Sequence, residues 1–230
     1  MKCCSCTAVG KKFGVAITGI VLYGFVLIHM IGNLKAFKGL DSVTGKQQLD
    51  LYAEWLREMG APMLGHGEAL WITRFVLLGA VLMHLYLVIS LALQNKAARP
   101  TPYVNHQYGA STAASRTMLI SGSAIAIFIV YHILHLTTGT VHSGGFVEGA
   151  VYNNVVVAFQ SATVAGIYVA AVCLLGFHLY HGVWSLFQTF GLAKPSLNSK
   201  FRVLATASAF LIAIGFAAVP LSVLFGILTK

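Results

Sequence analysis

The sequence predicts an all-α integral membrane protein, a bundle of five transmembrane helices. Three observations carry that prediction. Of the 230 residues, 57% are hydrophobic, only 9% are charged, and the apolar residues gather into five long continuous runs. A soluble domain carries about 25% charged residues, and one of this size has no way to bury so much apolar surface. Lipid is the solvent that removes the difficulty. The runs fall near residues 14–34, 68–93, 118–141, 155–189 and 203–228. Each is long enough for a helix to cross the hydrocarbon layer, which takes about 20 residues. Strands are excluded twice over. An open strand leaves its backbone groups unpaired in lipid, and a barrel strand alternates apolar with polar residues, whereas these runs are continuously apolar. The whole chain, 1–230, reads as one transmembrane domain.

The first run is too long for a secretory signal, lacks a small-residue cleavage site and carries His29 near its far end, so it is expected to remain as a span. In the loop that follows it, residues 46–59 place Leu49, Tyr52, Leu56 and Met59 at helical spacing with charges between them. That pattern predicts an amphipathic helix lying on the membrane surface.

The net charge of +9 is sorted by side of the membrane and is not a nucleic-acid signal. One side holds Lys2, Lys11, Lys12, Lys96, Arg99, Arg116, Lys194, Lys200 and Arg202, with no acidic residue among them. The other holds all six carboxylates: Asp41, Asp50, Glu54, Glu58, Glu68 and Glu148. The positive-inside rule therefore puts the N-terminus in the cytoplasm, and an odd number of spans puts the C-terminus outside. Arg74 is left inside the second span, near its outer end. Cys3, Cys4 and Cys6 crowd the N-terminus, but no paired histidine or second CxxC completes a zinc or iron–sulfur site, and the absence of CxxCH excludes covalently attached haem.

Nine histidines remain. Six sit in the apolar spans (His29, His84, His132, His135, His178 and His181), while His66, His106 and His142 lie in or beside loops. An ionisable residue in lipid is expensive and reads as functional by default. Depth sorts the six. His29 lies six residues before Lys35, and His132 ten before His142. His84 lies 16 residues past Glu68, and His178 23 past Val155. At about 1.5 Å per residue the first two sit about 9–15 Å below the outer surface and the second two about 24–35 Å below it. This gives an outer pair, His29 with His132, and an inner pair, His84 with His178, each drawn from two helices. Two imidazoles facing each other from separate helices can ligate a haem iron on both sides and leave no open position, the arrangement of an electron carrier. Gly24, Gly79, Gly122, Gly176 and Gly182 lie nearby, where small residues admit a flat macrocycle or another helix. His135 and His181 follow three residues after His132 and His178, on the same helix faces, placed for a haem propionate or a quinone carbonyl. A swap of roles within each of these couples stays open. Arg74 is placed to neutralise a propionate or, equally, to snorkel to the interface.

At these residues the chain resembles the cytochrome b membrane-anchor subunit of succinate:quinone oxidoreductases (succinate dehydrogenases and fumarate reductases), in its single-chain, dihaem b558 type. LIHMIGN around His29, MHLYLVIS around His84, IVYHILHLTTG around His132 and FHLYHGVWSLFQTFG around His178 carry the resemblance, which covers nearly the whole chain. It implies two haems b. The haem distal from the soluble subunits would be held by His29 and His132, and the proximal one by His84 and His178. Gly182, four residues after His178, fits that pattern. The resemblance also implies an iron–sulfur subunit docked on the basic cytoplasmic face, a flavoprotein subunit that carries the succinate chemistry, and a quinone, menaquinone for a dihaem chain, in the cytoplasmic (inner) membrane. Candidate quinone contacts are His181, Trp184, Gln188, Ser115 and Arg116 near the inner pair, and His135, Glu68, His66, Glu54 and Glu58 near the outer pair. Some fumarate-reducing relatives carry a glutamate two residues before the helix-four ligand; here that position is Gly176, so a carboxylate path for protons is expected to be missing. Two other classes compete: the anchor of another dihaem oxidoreductase, whose ligands come from fewer helices, and a histidine-lined transporter, which would need midplane carboxylates and repeated halves.

Overall fold

The computed structural model describes residues 7–98 and 113–229. Cys3, Cys4, Cys6, Arg99 and His106 lie outside the described residues. Among the described residues, eight helices follow in order: α1 (Ala8–Asn33), α2 (Gln48–Glu58), α3 (Glu68–Ala97), α4 (Ala113–Arg116), α5 (Met118–His132), α6 (Val151–Phe159), α7 (Ala162–Thr189) and α8 (Asn198–Leu224). A 3₁₀ turn at Leu34–Lys38 extends α1, and a π-helical turn at Ile133–Thr137 extends α5. Five of these elements, α1, α3, α5 with its π turn, α7 and α8, are long and apolar enough to cross a membrane. The amphipathic segment becomes α2, with its apolar Leu49 buried.

One boundary differs in a way that matters. The expected fourth span, 155–189, is two helices. The chain turns at Gln160 and Ser161, where Ser161 is extended (φ −78°, ψ 115°) and opens α7 as a residue type favoured at helix starts. The spanning helix thus begins at Ala162, and α6 packs on the end of the bundle with Val155, Val156, Ala158 and Phe159 buried.

α2, α6 and the C-terminal residues form a cap over one end. Asp50 of α2 accepts the backbone N–H of Tyr152 at 2.8 Å, satisfying a donor in the first turn of α6, while the Tyr152 hydroxyl donates to the carbonyl of Thr229 at 3.0 Å. Asp50→Ala is expected to cost about 1–2 kcal/mol, the cost of losing a helix-capping acceptor. It should lower the midpoint for thermal loss of helicity in detergent; an unchanged midpoint would show that the cap contributes nothing.

The spans form a square with a fifth helix outside it. α3 packs along α1, α1 meets α7, and α5 packs along α7. α8 covers the α1–α7 side. Gly176 lets α7 and α8 approach closely, since a Cβ there would sit 3.2 Å from the Ala213 Cβ. Around the square the order is α3, α1, α7, α5, so α1 faces α5 across one diagonal and α3 faces α7 across the other. Among the described residues, neither diagonal nor the α3–α5 side is closely packed.

Candidate functional site: two histidine pairs across the bundle

The diagonals carry the histidines. His29 of α1 and His132 of α5 bring their ring centroids to 5.9 Å, with the planes 77° apart. Two imidazoles bound to one metal through nitrogen, with bonds of about 2 Å, hold their centroids about 6 Å apart, so this pair fits an axial ligand pair. Aromatic rings wall it off: Phe25 stacks on His29 at 5.3 Å, Phe216 of α8 lies 5.6 Å from the same ring, and Phe128 stacks on His132 at 5.9 Å. Such walls exclude water and lower the local dielectric.

On the other diagonal, His84 of α3 and His178 of α7 lie at matching depth. Each stands 16 residues past the first residue of its helix, Glu68 and Ala162. The late start of α7 replaces the 23-residue offset expected for His178 and brings the two to one level. Gly122 of α5 makes room for His178, since a Cβ at Gly122 would sit 3.3 Å from its Cε1. Gly24, Gly79 and Gly182 have nothing within 4 Å of the Cβ they lack.

Three hydroxyls that the sequence did not single out stand beside the ring nitrogens. Thr18 Oγ1 donates to the backbone carbonyls of Gly14 or Val15, so its lone pair faces His84 Nδ1 at 3.0 Å and accepts the N–H. Ser121 Oγ donates to the carbonyl of Met118 and meets His178 Nδ1 at 3.4 Å. Tyr168 Oη of α7 meets His132 Nδ1 at 3.3 Å. An imidazole whose Nδ1–H is held by an oxygen presents a bare Nε2, the tautomer a metal ligand requires. The only signal for these residues in the sequence is a hydroxyl in an otherwise apolar run, which reads as ordinary helix chemistry.

The other candidates are placed as follows. His135 lies on the π turn, 1% exposed, and turns to Tyr168 and His142; of the two α5 histidines, His132 is the one that meets His29. His181 is half-buried and makes no hydrogen bond among the described residues. The Arg74 guanidinium lies 4.7 Å from the ring of Trp71 on its own helix, both exposed. Glu68 opens α3 and is exposed. His66 is held by Glu58 at 2.5 Å and Lys46 by Glu54 at 2.6 Å, all four well exposed at the cap end. At the opposite end Arg202 lies over Trp184 at 5.0 Å, Gln188 is exposed, and Ser115 and Arg116 belong to α4, which packs on α7.

No cluster of three or more histidine, cysteine or carboxylate ligands occurs among the described residues. A porphyrin, which supplies four nitrogens of its own, needs only the two axial ligands that each pair offers. No family model, curated protein or solved structure matches this chain.

Proposed function

We propose that this chain is the dihaem cytochrome b anchor of a succinate:quinone oxidoreductase, linking an iron–sulfur subunit to menaquinone in the cytoplasmic membrane. The observation that carries the reading is the approach of His29 and His132 across one diagonal, with ring centroids 5.9 Å apart, while His84 and His178 stand on the two helices of the other. His29 and His132 would hold an outer haem, and His84 and His178 an inner one. When bound, each haem supplies a one-electron couple whose potential the protein tunes through its ligands and surroundings. The chain's own part would be to hold each haem between its two histidines, to set oxygens beside the ring nitrogens through Thr18, Ser121 and Tyr168, and to exclude water with Phe25, Phe128 and Phe216. The N-terminus would lie in the cytoplasm, with the basic, acid-free side docking the iron–sulfur subunit and, through it, the flavoprotein that handles succinate. The resemblance described above supports these partners.

The purified chain should show the sharp reduced bands of low-spin b-type haem, at two haems per chain. Its complex should contain flavin and iron–sulfur subunits and reduce a naphthoquinone with succinate. His84→Ala should remove the inner haem and leave the outer one. A preparation without porphyrin, or one in which His84→Ala leaves both haems in place, would defeat the assignment.

A further inference from the structure

Beyond the two pairs lies a chain of buried polar groups that the ligand assignment does not use. His135 is 1% exposed, and its Nδ1 meets Tyr168 Oη at 2.9 Å. The same oxygen meets His132 Nδ1 at 3.3 Å. One hydroxyl therefore serves two imidazoles, and it has only one proton. If His132 binds iron through Nε2, its proton sits on Nδ1 and must be donated to the Tyr168 oxygen. The tyrosine O–H is then free for the shorter contact, where His135 Nδ1 accepts it. The reverse sense, with His135 donating to Tyr168 and Tyr168 donating to His132, puts the His132 proton on Nε2 and blocks its lone pair. The tautomer of His135 thus decides whether His132 presents a usable nitrogen.

The surroundings hold this chain rigid. The His135 ring lies nearly parallel to Tyr131 (5.2 Å, 19°) and to His142 (5.2 Å, 26°). His142 is fixed in turn, its Nε2–H donating to the carbonyl of Asn154 at 3.0 Å. Asn154 clamps the loop by accepting from the N–H of Val147 and donating to its carbonyl, at 3.0 and 2.7 Å. The Tyr168 ring meets Phe128 and Phe159 edge-on at 4.9 and 4.8 Å. The π turn puts His135 here: it leaves the regular helix immediately after His132 and closes with the Thr138 N–H on the carbonyl of Ile133.

We propose that His135 is a positioning residue for the outer haem, acting through the Tyr168 hydroxyl: by accepting the tyrosine proton it turns the oxygen lone pairs onto the His132 Nδ1–H. The proposal rests on the reading of His132 as an iron ligand. A hydrogen-bonded Nδ1–H makes an imidazole a stronger donor to its metal, which favours the oxidised iron. Loss of the acceptor at position 135 weakens that bond and raises the potential of the outer couple alone.

The test is a spectroelectrochemical titration of the full complex. His135→Phe keeps an aromatic ring against Tyr131 and His142 but removes the acceptor, whereas His135→Gln keeps an oxygen able to accept from Tyr168. The expected result is a positive shift of the outer haem potential in His135→Phe, return toward the wild-type value in His135→Gln, and an unchanged inner haem. In a Tyr168→Phe background, His135→Phe should add nothing further, because the group through which it acts is gone. An outer potential that does not move in His135→Phe, an equal shift in His135→Gln, or a full additional shift in the Tyr168→Phe background overturns the proposal. Complete absence of haem from the wild-type chain defeats the functional reading itself, a different outcome from two normal haems with an insensitive potential.

Discussion

Replacing His132 with alanine should leave a chain that binds one haem, the inner one, while His135→Ala retains both. The two residues stand three positions apart in the sequence, and their identical side chains make them interchangeable there. The structure separates them. His132 ends the regular part of α5 and meets His29 across the diagonal at 5.9 Å. His135 is carried by the π turn into a buried stack with Tyr131 and His142. On the proposed reading, loss of His132 would take away one of the two histidines that hold the outer haem and would leave Tyr168 with His135 alone. Second-sphere changes cost metal sites about 10–100-fold in affinity, and loss of the ligand itself is expected to exceed that. Haem content by pyridine haemochrome and the reduced-minus-oxidised spectrum of each variant give the answer. Loss of the outer haem in His135→Ala, with retention in His132→Ala, would reverse the assignment.

The bundle itself was legible because lipid imposes a crude and strong rule: a span must be a helix, and its residues must be apolar. All five spans follow from continuous apolar runs. The break between α6 and α7 was not legible, because Val155–Phe159 is as apolar as the span it precedes, and only Gln160 and Ser161 interrupt the run. That break changes the depth of His178, and with it the match to His84. The π turn was hidden for a related reason. Periodicity reports which residues are apolar, not whether a turn widens by one residue. His142 lies in a loop, as its place in the sequence implies, but no sequence signal shows that its ring stacks on His135 and bonds the backbone of Asn154. Arg74 offered two readings of equal weight. In the structure its guanidinium lies over Trp71 of the same helix, and both are exposed. Pairing by depth uses only helix direction and residue count, so it survives errors of several residues at the ends. Hydroxyl partners depend on rotation about the helix axis, which no count of residues provides.

Gly122→Val should displace the inner haem without touching any ligand. Gly122 lies on α5, which contributes no iron ligand to the inner pair, yet its missing Cβ is the space that the His178 ring occupies. A Cβ there would stand 3.3 Å from His178 Cε1. Alanine asks the ring to yield a few tenths of an ångström, so Gly122→Ala should keep two haems and alter only the inner spectrum. Valine adds two methyl groups beyond that point, and one of them must enter the space of the imidazole or of Ser121, its hydrogen-bond partner on the preceding residue. Overpacking of this kind costs about 1–3 kcal/mol in a rigid core. Here the softest response is rotation of His178 away from His84, because the ring is a single side chain held by one long hydrogen bond, whereas α5 is packed along α7 over much of its length. The expected outcome is a stably inserted chain that retains the outer haem and loses the inner one. The graded series of glycine, alanine and valine at position 122 thus measures how closely α5 sets the ligand geometry of a pair to which it contributes no histidine. Two full haems with an unaltered inner spectrum in Gly122→Val would mean that His178 does not point where this geometry puts it.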